Sequence, residues 1–313
     1  INAGDATDIE FNLPGTDDVM TLADAGGGQF TLNVTSGTAE TVTMNYPTAG
    51  GSLTVNLGDG NDSLTVTNTL LFNANTDLII DGQGSTTGDT VSLNAASGFT
   101  VTDALSITAE TINQTGPVTV SGTTMLNNQG SATAITLTNG GNNFSTVAVT
   151  ATAAGVSLRD ANNIDLGDCT VANLGVTASG AITDSGDISV SHGATFGGAA
   201  ITLGESGETT NFGSLAFASG GAVWIAEDSD TEILPGAAGT LVLSSAGAVT
   251  DADGIGVLFV TTDATIRGTS ITLGDDSEIF DVGGTASFDA TAGSISVGTD
   301  SFWTVFGSLT FST

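Results

Sequence analysis

A recurrence at an interval of about 70 residues constrains this chain more than any other feature, because fixed-period self-similarity is the mark of a repeat architecture. Phe144, Phe212 and Phe280 are evenly spaced, and so are Val120, Val190 and Val260. The unit is ITLGESGETTNFGSLAF (201–217). It returns as AITLTNGGNNFSTVAV (134–149), as SITLGDDSEIFDVGGTASF (270–288) and, shortened, as SISVGTDSFWTVFGSLTF (294–311). Within each copy the apolar residues alternate, as with Ile201 and Leu203, Ile271 and Leu273, or Leu215 and Phe217. That alternation puts them on one side of a strand, with mostly Thr, Ser or Ala on the other.

The period is too long for one turn of a coil of strands, and it divides into three turns of about 23 residues, within the usual range for stacked repeats. No window places apolar residues at helical spacing over three turns. Short strands without crossover helices predict an all-β, parallel β-solenoid, each strand pairing with its counterparts about 4.8 Å above and below. Roughly thirteen such turns are expected, with Phe144, Phe212 and Phe280 at equivalent corners three turns apart. Residues 1–96 differ in style from 97–313. Their turns are richer in Asp-Gly and Asn-Asp, as in GGSLTVNLGDGNDSLTV, and no Pro/Ser linker separates the two stretches. Ile1 at the start is expected of a mature product or an excised segment.

Charge bounds the partners. The chain has 34 acidic residues against two arginines, Arg159 and Arg267, for a formal net charge of −32. Such a field repels nucleic acid and anionic membrane and favours divalent cations. No apolar run is long enough to span a bilayer as a helix. Cys169 is the only cysteine, so no internal disulfide forms; a small buried or turn residue is its expected role.

The run SLRDANNIDLGDCTVANLGVTASGAITDSGDISVSHGATFGGAAITL (157–203) resembles the repeats of filamentous haemagglutinin-like adhesins and giant repetitive bacterial surface proteins. The resemblance covers roughly positions 104–313. It implies a right-handed β-helix displayed extracellularly or on the bacterial surface, structural or adhesive and not an enzyme. One departure is VWIAEDSDTEIL (223–234), which replaces the DANNIDL-type turn.

Three sets of residues are candidates for function. GDGNDSL (58–64) fits most of the nonapeptide that binds calcium in stacked turns of repeats-in-toxin proteins, with DGQGSTTGD (81–89) as an interrupted mate. A calcium ion held by Asp59, Asn61, Asp62, Asp81 and Asp89 is one reading; Gly-Asn turns chosen for backbone geometry are the other. Other acidic groups, among them Asp17–Asp18, Glu227–Asp228–Asp230 and Asp275–Asp276, are expected to be solvated turn carboxylates. The last strand carries Leu309 and Phe311 and the first carries Phe11 and Leu13, a pair of edges suited to end-to-end self-association or to further repeats of the same chain. Trp224 and Trp303 are candidate surface contacts, with Trp224 expected to face outward between Val223 and Ile225, where it is a candidate for stacking on a sugar or for contact with another rod.

Three functions therefore stand open: a structural module of a surface rod, an adhesin binding glycans through its sides, and a polysaccharide-active β-helix enzyme. Arg159, Arg267 and the sole histidine, His192, are scattered along the sequence, and none has an evident catalytic partner.

Overall fold

The computed structural model describes residues 6–13, 15–36, 40–82, 88–205, 207–252, 256–274, 279–298 and 303–313. They fold into two compact units, Ile1–Ile164 and Asp165–Thr313. Each is a β-solenoid of stacked, parallel-paired strands, and no helix occurs among the described residues. The change of sequence style at 96/97 falls inside the first unit.

In the first unit, Ile9, Leu53, Leu78, Leu105, Thr124 and Val147 lie one above another, level on level. A second column runs through Met20, Leu64, Val91 and Ile112. In the second unit one column passes through Ile182, Ile201, Val223, Leu241, Ala264, Ala286 and Leu309, one residue from each level. Neighbouring strands supply the other two sides, so each level presents three short strands to a shared interior. The interior is filled by the alternating residues the sequence marks. Ile201, Leu203, Ile271, Leu273, Phe212 and Phe280 are all buried. Three phenylalanines of the last levels, Phe280, Phe288 and Phe306, meet edge to face at 5.4 to 6.0 Å.

Two expectations need correction. The long repeat is not three whole turns. Ile201 belongs to the column of Val223, Leu241 and Ala264, whereas Ile271, its counterpart one repeat on, stacks between Val249 and Ile295 on the next side. Phe212 likewise stacks on Val190, but Phe280 lies between Leu258 and Thr304. Corners in this stretch are short. With three sides to a level and about 20 residues per level, one strand and its corner take about seven residues. One repeat then holds ten such steps, and ten steps around a three-sided coil are three turns and one extra side. Phe212 and Phe280 therefore occupy different sides.

The second correction is at the N-terminus. Val19–Gly26, Gln29–Val34 and Glu40–Asn45 form an antiparallel meander, which the parallel reading did not foresee. Chain spent on the meander adds no parallel level, and the stacked turns number about 11, fewer than expected. Gly26, Gly27 and Gly28 make its first turn with φ of 77°, 65° and 79°, a left-handed run that glycine adopts without penalty. The meander brings Phe30 against Phe11 (6.1 Å, edge to face) and Tyr46 (5.5 Å), so apolar surface of the first level is covered from within the chain.

The register can be tested with outward-facing cysteine pairs. Val242→Cys with Thr265→Cys joins residues in direct register on adjacent levels, within disulfide reach. This pair is expected to close on mild oxidation, read as a mobility shift on non-reducing gels. Thr202→Cys with Thr272→Cys, a full repeat apart, is expected to stay reduced, because those positions lie on different sides.

Candidate functional site

The acidic residues, read as solvated turns in the sequence, turn out to hold the corners. Strand backbones satisfy one another by stacking, but where the chain bends some N–H groups have no backbone acceptor on the next level. Leaving such a donor buried and unpaired costs about 1–3 kcal/mol. Among the described residues, fourteen carboxylates are seen to accept a backbone N–H from an adjacent level: Asp8, Asp17, Asp62, Asp77, Asp89, Glu110, Asp160, Asp168, Asp184, Asp187, Glu227, Asp230, Asp251 and Asp263. That is a large share of the 34 acids, so much of the charge is explained by architecture. A charged acceptor makes a stronger bond than a neutral one.

The departure at 223–234 keeps this device. Phe144 donates its N–H to Asp160 Oδ2 at 2.7 Å. Phe212 donates its N–H to Glu227 Oε1 at 3.0 Å, and Thr231 Oγ1 donates to Glu227 Oε2 at 2.7 Å. Glu227 is buried, and one more methylene lets it do from VWIAE what Asp160 does from VSLRD. Burial raises the Asp160 carboxyl above its ordinary value, opposed by the N–H groups of Phe144 and Asn162. Asp187, on the surface, is lowered because Thr209 donates to it.

One column gathers two of the predicted calcium residues, Asp62 and Asp89, with Asp18, expected from the sequence to be a solvated turn acid. Asp18, Asp62, Asp89 and Glu110 precede strands paired in register, and so stand on four successive levels. Asp18 N–H donates to Asp62 Oδ1 (2.7 Å), Asp62 N–H to Asp89 Oδ1 (2.8 Å), and Asp89 N–H to Glu110 Oε2 (2.8 Å). Asp18, Asp62 and Asp89 are 5 %, 1 % and 0 % exposed, and the Oδ2 atom of each is buried with no hydrogen-bond partner. Burial raises Asp62 above its ordinary value and pushes Asp89 up to about 6. Of the other predicted ligands, Asp59 and Asn61 lie on the exposed side of the turn, and Asn61 donates its N–H to Asp17. Asp81 ends the strand Asp77–Asp81, in register with Asn56 and Thr108. Residues 83–87 of the interrupted mate lie outside the described residues. Among the described residues no three His, Cys, Asp or Glu side chains converge on one point where a metal ion could sit.

The remaining candidates are apart. Trp224 is half-buried and faces outward in register with Thr202 and Val242, while Val223 and Ile225 point inward. Trp303 opens the strand Trp303–Ser312, and its side chain lies outside the described residues, as do Asp275 and Asp276. Leu309 and Phe311 are 42 % and 55 % exposed, although they continue columns whose previous members, Ala286 and Phe288, are fully buried. His192 is exposed, with Nδ1 near Ser191 Oγ and Ala172 O. Arg267 pairs with Asp289 on the next level at 3.5 Å. No helix among the described residues is long and apolar enough to cross a membrane. Cys169 is buried in the core column with Ile188 and Thr210.

Residues 86–151 and 153–219 match a family described as repeats of unknown function (DUF5649). The two matched segments are one residue apart and nearly equal in length, as successive copies should be. The chain is a repeat β-solenoid protein. No curated protein and no solved structure matches it.

Two measurements check the corner account. Glu227→Ala should cost about 2–3 kcal/mol in chemical denaturation, because it strands a buried amide and a hydroxyl. Glu227→Gln, which keeps an acceptor for Phe212, should cost clearly less. For pH, Asp184 accepts Gly204 N–H at 2.8 Å, yet burial, with Glu208 and Asp165 nearby, raises it to about 6. A folded-state value above the unfolded one means that its contribution is fully present in acid and is lost as pH rises through about 6. Between pH 5 and 7 the wild type should lose on the order of 1 kcal/mol more stability than Asp184→Asn does.

Proposed function

We propose that this solenoid is a structural module of a bacterial extracellular or cell-surface rod, working by stacking further levels of the same fold on its last strand. The observation that carries this reading is the C-terminal level. Trp303–Ser312 pairs along one edge with Ile279–Ala290, and Leu309 and Phe311 stand uncovered where every earlier member of their columns is buried. An unpaired edge over an exposed apolar stripe is a template for one more strand layer. The first level differs, since the meander sets Phe30 over Phe11, and Leu13 already donates its N–H to Asn56 O. The partner edge is therefore assigned to another solenoid level of similar kind, in the same polypeptide or in a second molecule, in preference to Phe11 and Leu13. The surface location rests on the resemblance of 157–203 to haemagglutinin-like repeats. With a charge of −32 the sides repel one another, and salt weakens that repulsion.

Light scattering with electron microscopy across salt concentrations tests this. The expected result is end-on association that grows with salt and disappears in the Leu309→Asp, Phe311→Asp double variant. A chain that stays monomeric at every salt concentration, or clumps equally with both substitutions in place, contradicts it.

A second reading has one observation in its favour. Trp224 is half-buried on the outward side of its strand, and an aromatic ring there is suited to stacking on a sugar ring. If the chain is a glycan-binding adhesin, a glycan array should show hits that Trp224→Ala removes.

A further inference from the structure

The buried oxygens of the aspartate column call for a counter-charge that the chain does not supply. Asp62 and Asp89 adopt the same arrangement one level apart, each using Oδ1 to receive the N–H of the residue directly beneath it, Asp18 or Asp62. Each then leaves Oδ2 buried without a partner, and Asp18 Oδ2 is in the same state. The groups next to them are also acidic: Asp17 accepts the N–H of Asn61, and Glu110 continues the column above. An ionised carboxylate oxygen removed from water without a partner costs several kcal/mol, and like charges on adjacent levels add to that.

Gly82 packs against one of these oxygens: a Cβ there would come within 2.5 Å of Asp89 Oδ2 and 2.9 Å of Thr108 O, so glycine leaves this carboxylate oxygen and a backbone carbonyl oxygen facing the same small space. Spacing then selects the ligand. Residues with the same conformation on adjacent levels repeat their atoms at about 4.8 Å. An ion midway between two such oxygens lies about 2.4 Å from each, within the range for calcium and beyond the roughly 2.0–2.1 Å that magnesium demands.

We infer that Asp62 and Asp89 share a divalent cation of calcium's size between their Oδ2 atoms, with Asp18 extending the column below. This differs from a cage of converging side chains: the ion bridges consecutive levels pairwise, and backbone carbonyl oxygens or water complete its shell. Asp59 and Asp81 have no part in it.

The test uses the full chain and calcium alone, titrated by calorimetry in low-salt buffer after chelator treatment, with thermal unfolding in parallel. Asp62→Asn and Asp89→Asn keep the Oδ1 acceptor for the backbone and remove only the charge, so each variant retains its corner bond. The expected result is saturable calcium binding that raises the unfolding temperature. Magnesium should bind at least tenfold more weakly, and the double variant should lose the saturable phase while still folding. Asp184→Asn, remote from the column in sequence and on another column, should retain it. Absence of saturable binding overturns the inference. So does an equal response in the double variant, or an equal response to magnesium, since either would mean that calcium only screens the surface charge. Should the double variant not fold, wild-type discrimination between calcium and magnesium decides the matter alone.

Discussion

Every level of this solenoid must hand its backbone donors to the level beside it, and the corners are where that is hardest. Along the straight strands the handover is automatic, because parallel register pairs each peptide with its neighbours about 4.8 Å away. At a bend the peptide planes turn away from that direction. The chain meets the problem with side chains, most of them carboxylates: Asp160 for Phe144, Glu227 for Phe212, Asp184 for Gly204, Asp251 for Gly274. Asn142 plays the same part for Val118, without charge. A charge of −32 on a chain with two cations is thus in good part the by-product of a bonding scheme.

The scheme divides in two, with different physical consequences. Some carboxylates lie on the surface and accept from the following level, as Asp187 does from Thr209. Others accept from the level before and are buried, as with Asp62, Asp89, Asp160 and Glu227. The buried class carries most of the desolvation cost, and Asp184, which accepts from the following level but is half-buried, shares it. Glu227 offsets it with two hydroxyl donors, Ser229 and Thr231, and Asp160 with the N–H of Asn162. Asp62 and Asp89 have no such second donor, and that contrast separates their column from the other corners.

Much of the fold was legible in the sequence, because alternation marks the interior directly: Ile201, Leu203, Ile271 and Leu273 are where their neighbours require. The phase of the long repeat was not. A recurrence at that interval is compatible with any number of strand steps, and only the pairing of Ile271 with Val249 reveals that ten steps fit where nine would make three whole turns. The meander did leave a signal, since VMTLADAGGGQFTLNV is two alternating runs about a glycine turn, a hairpin pattern overshadowed by the parallel period. The candidate site was half visible. Asp62 and Asp89 stood out by motif, whereas Asp18 and Glu227 did not, because a buried acceptor and a solvated turn acid look alike until the next level is in place.

Amide hydrogen exchange at single-residue resolution tests the central claim most directly. The N–H groups of Phe144, Phe212 and Gly204 have carboxylates on the adjacent level as their acceptors, so their exchange reports on the corners and not on the strand ladders. If the corners are held as described, these amides are as protected as the ladder amides beside them. Exchange at the rate of exposed loops at these three positions, with the strands still protected, would contradict the account.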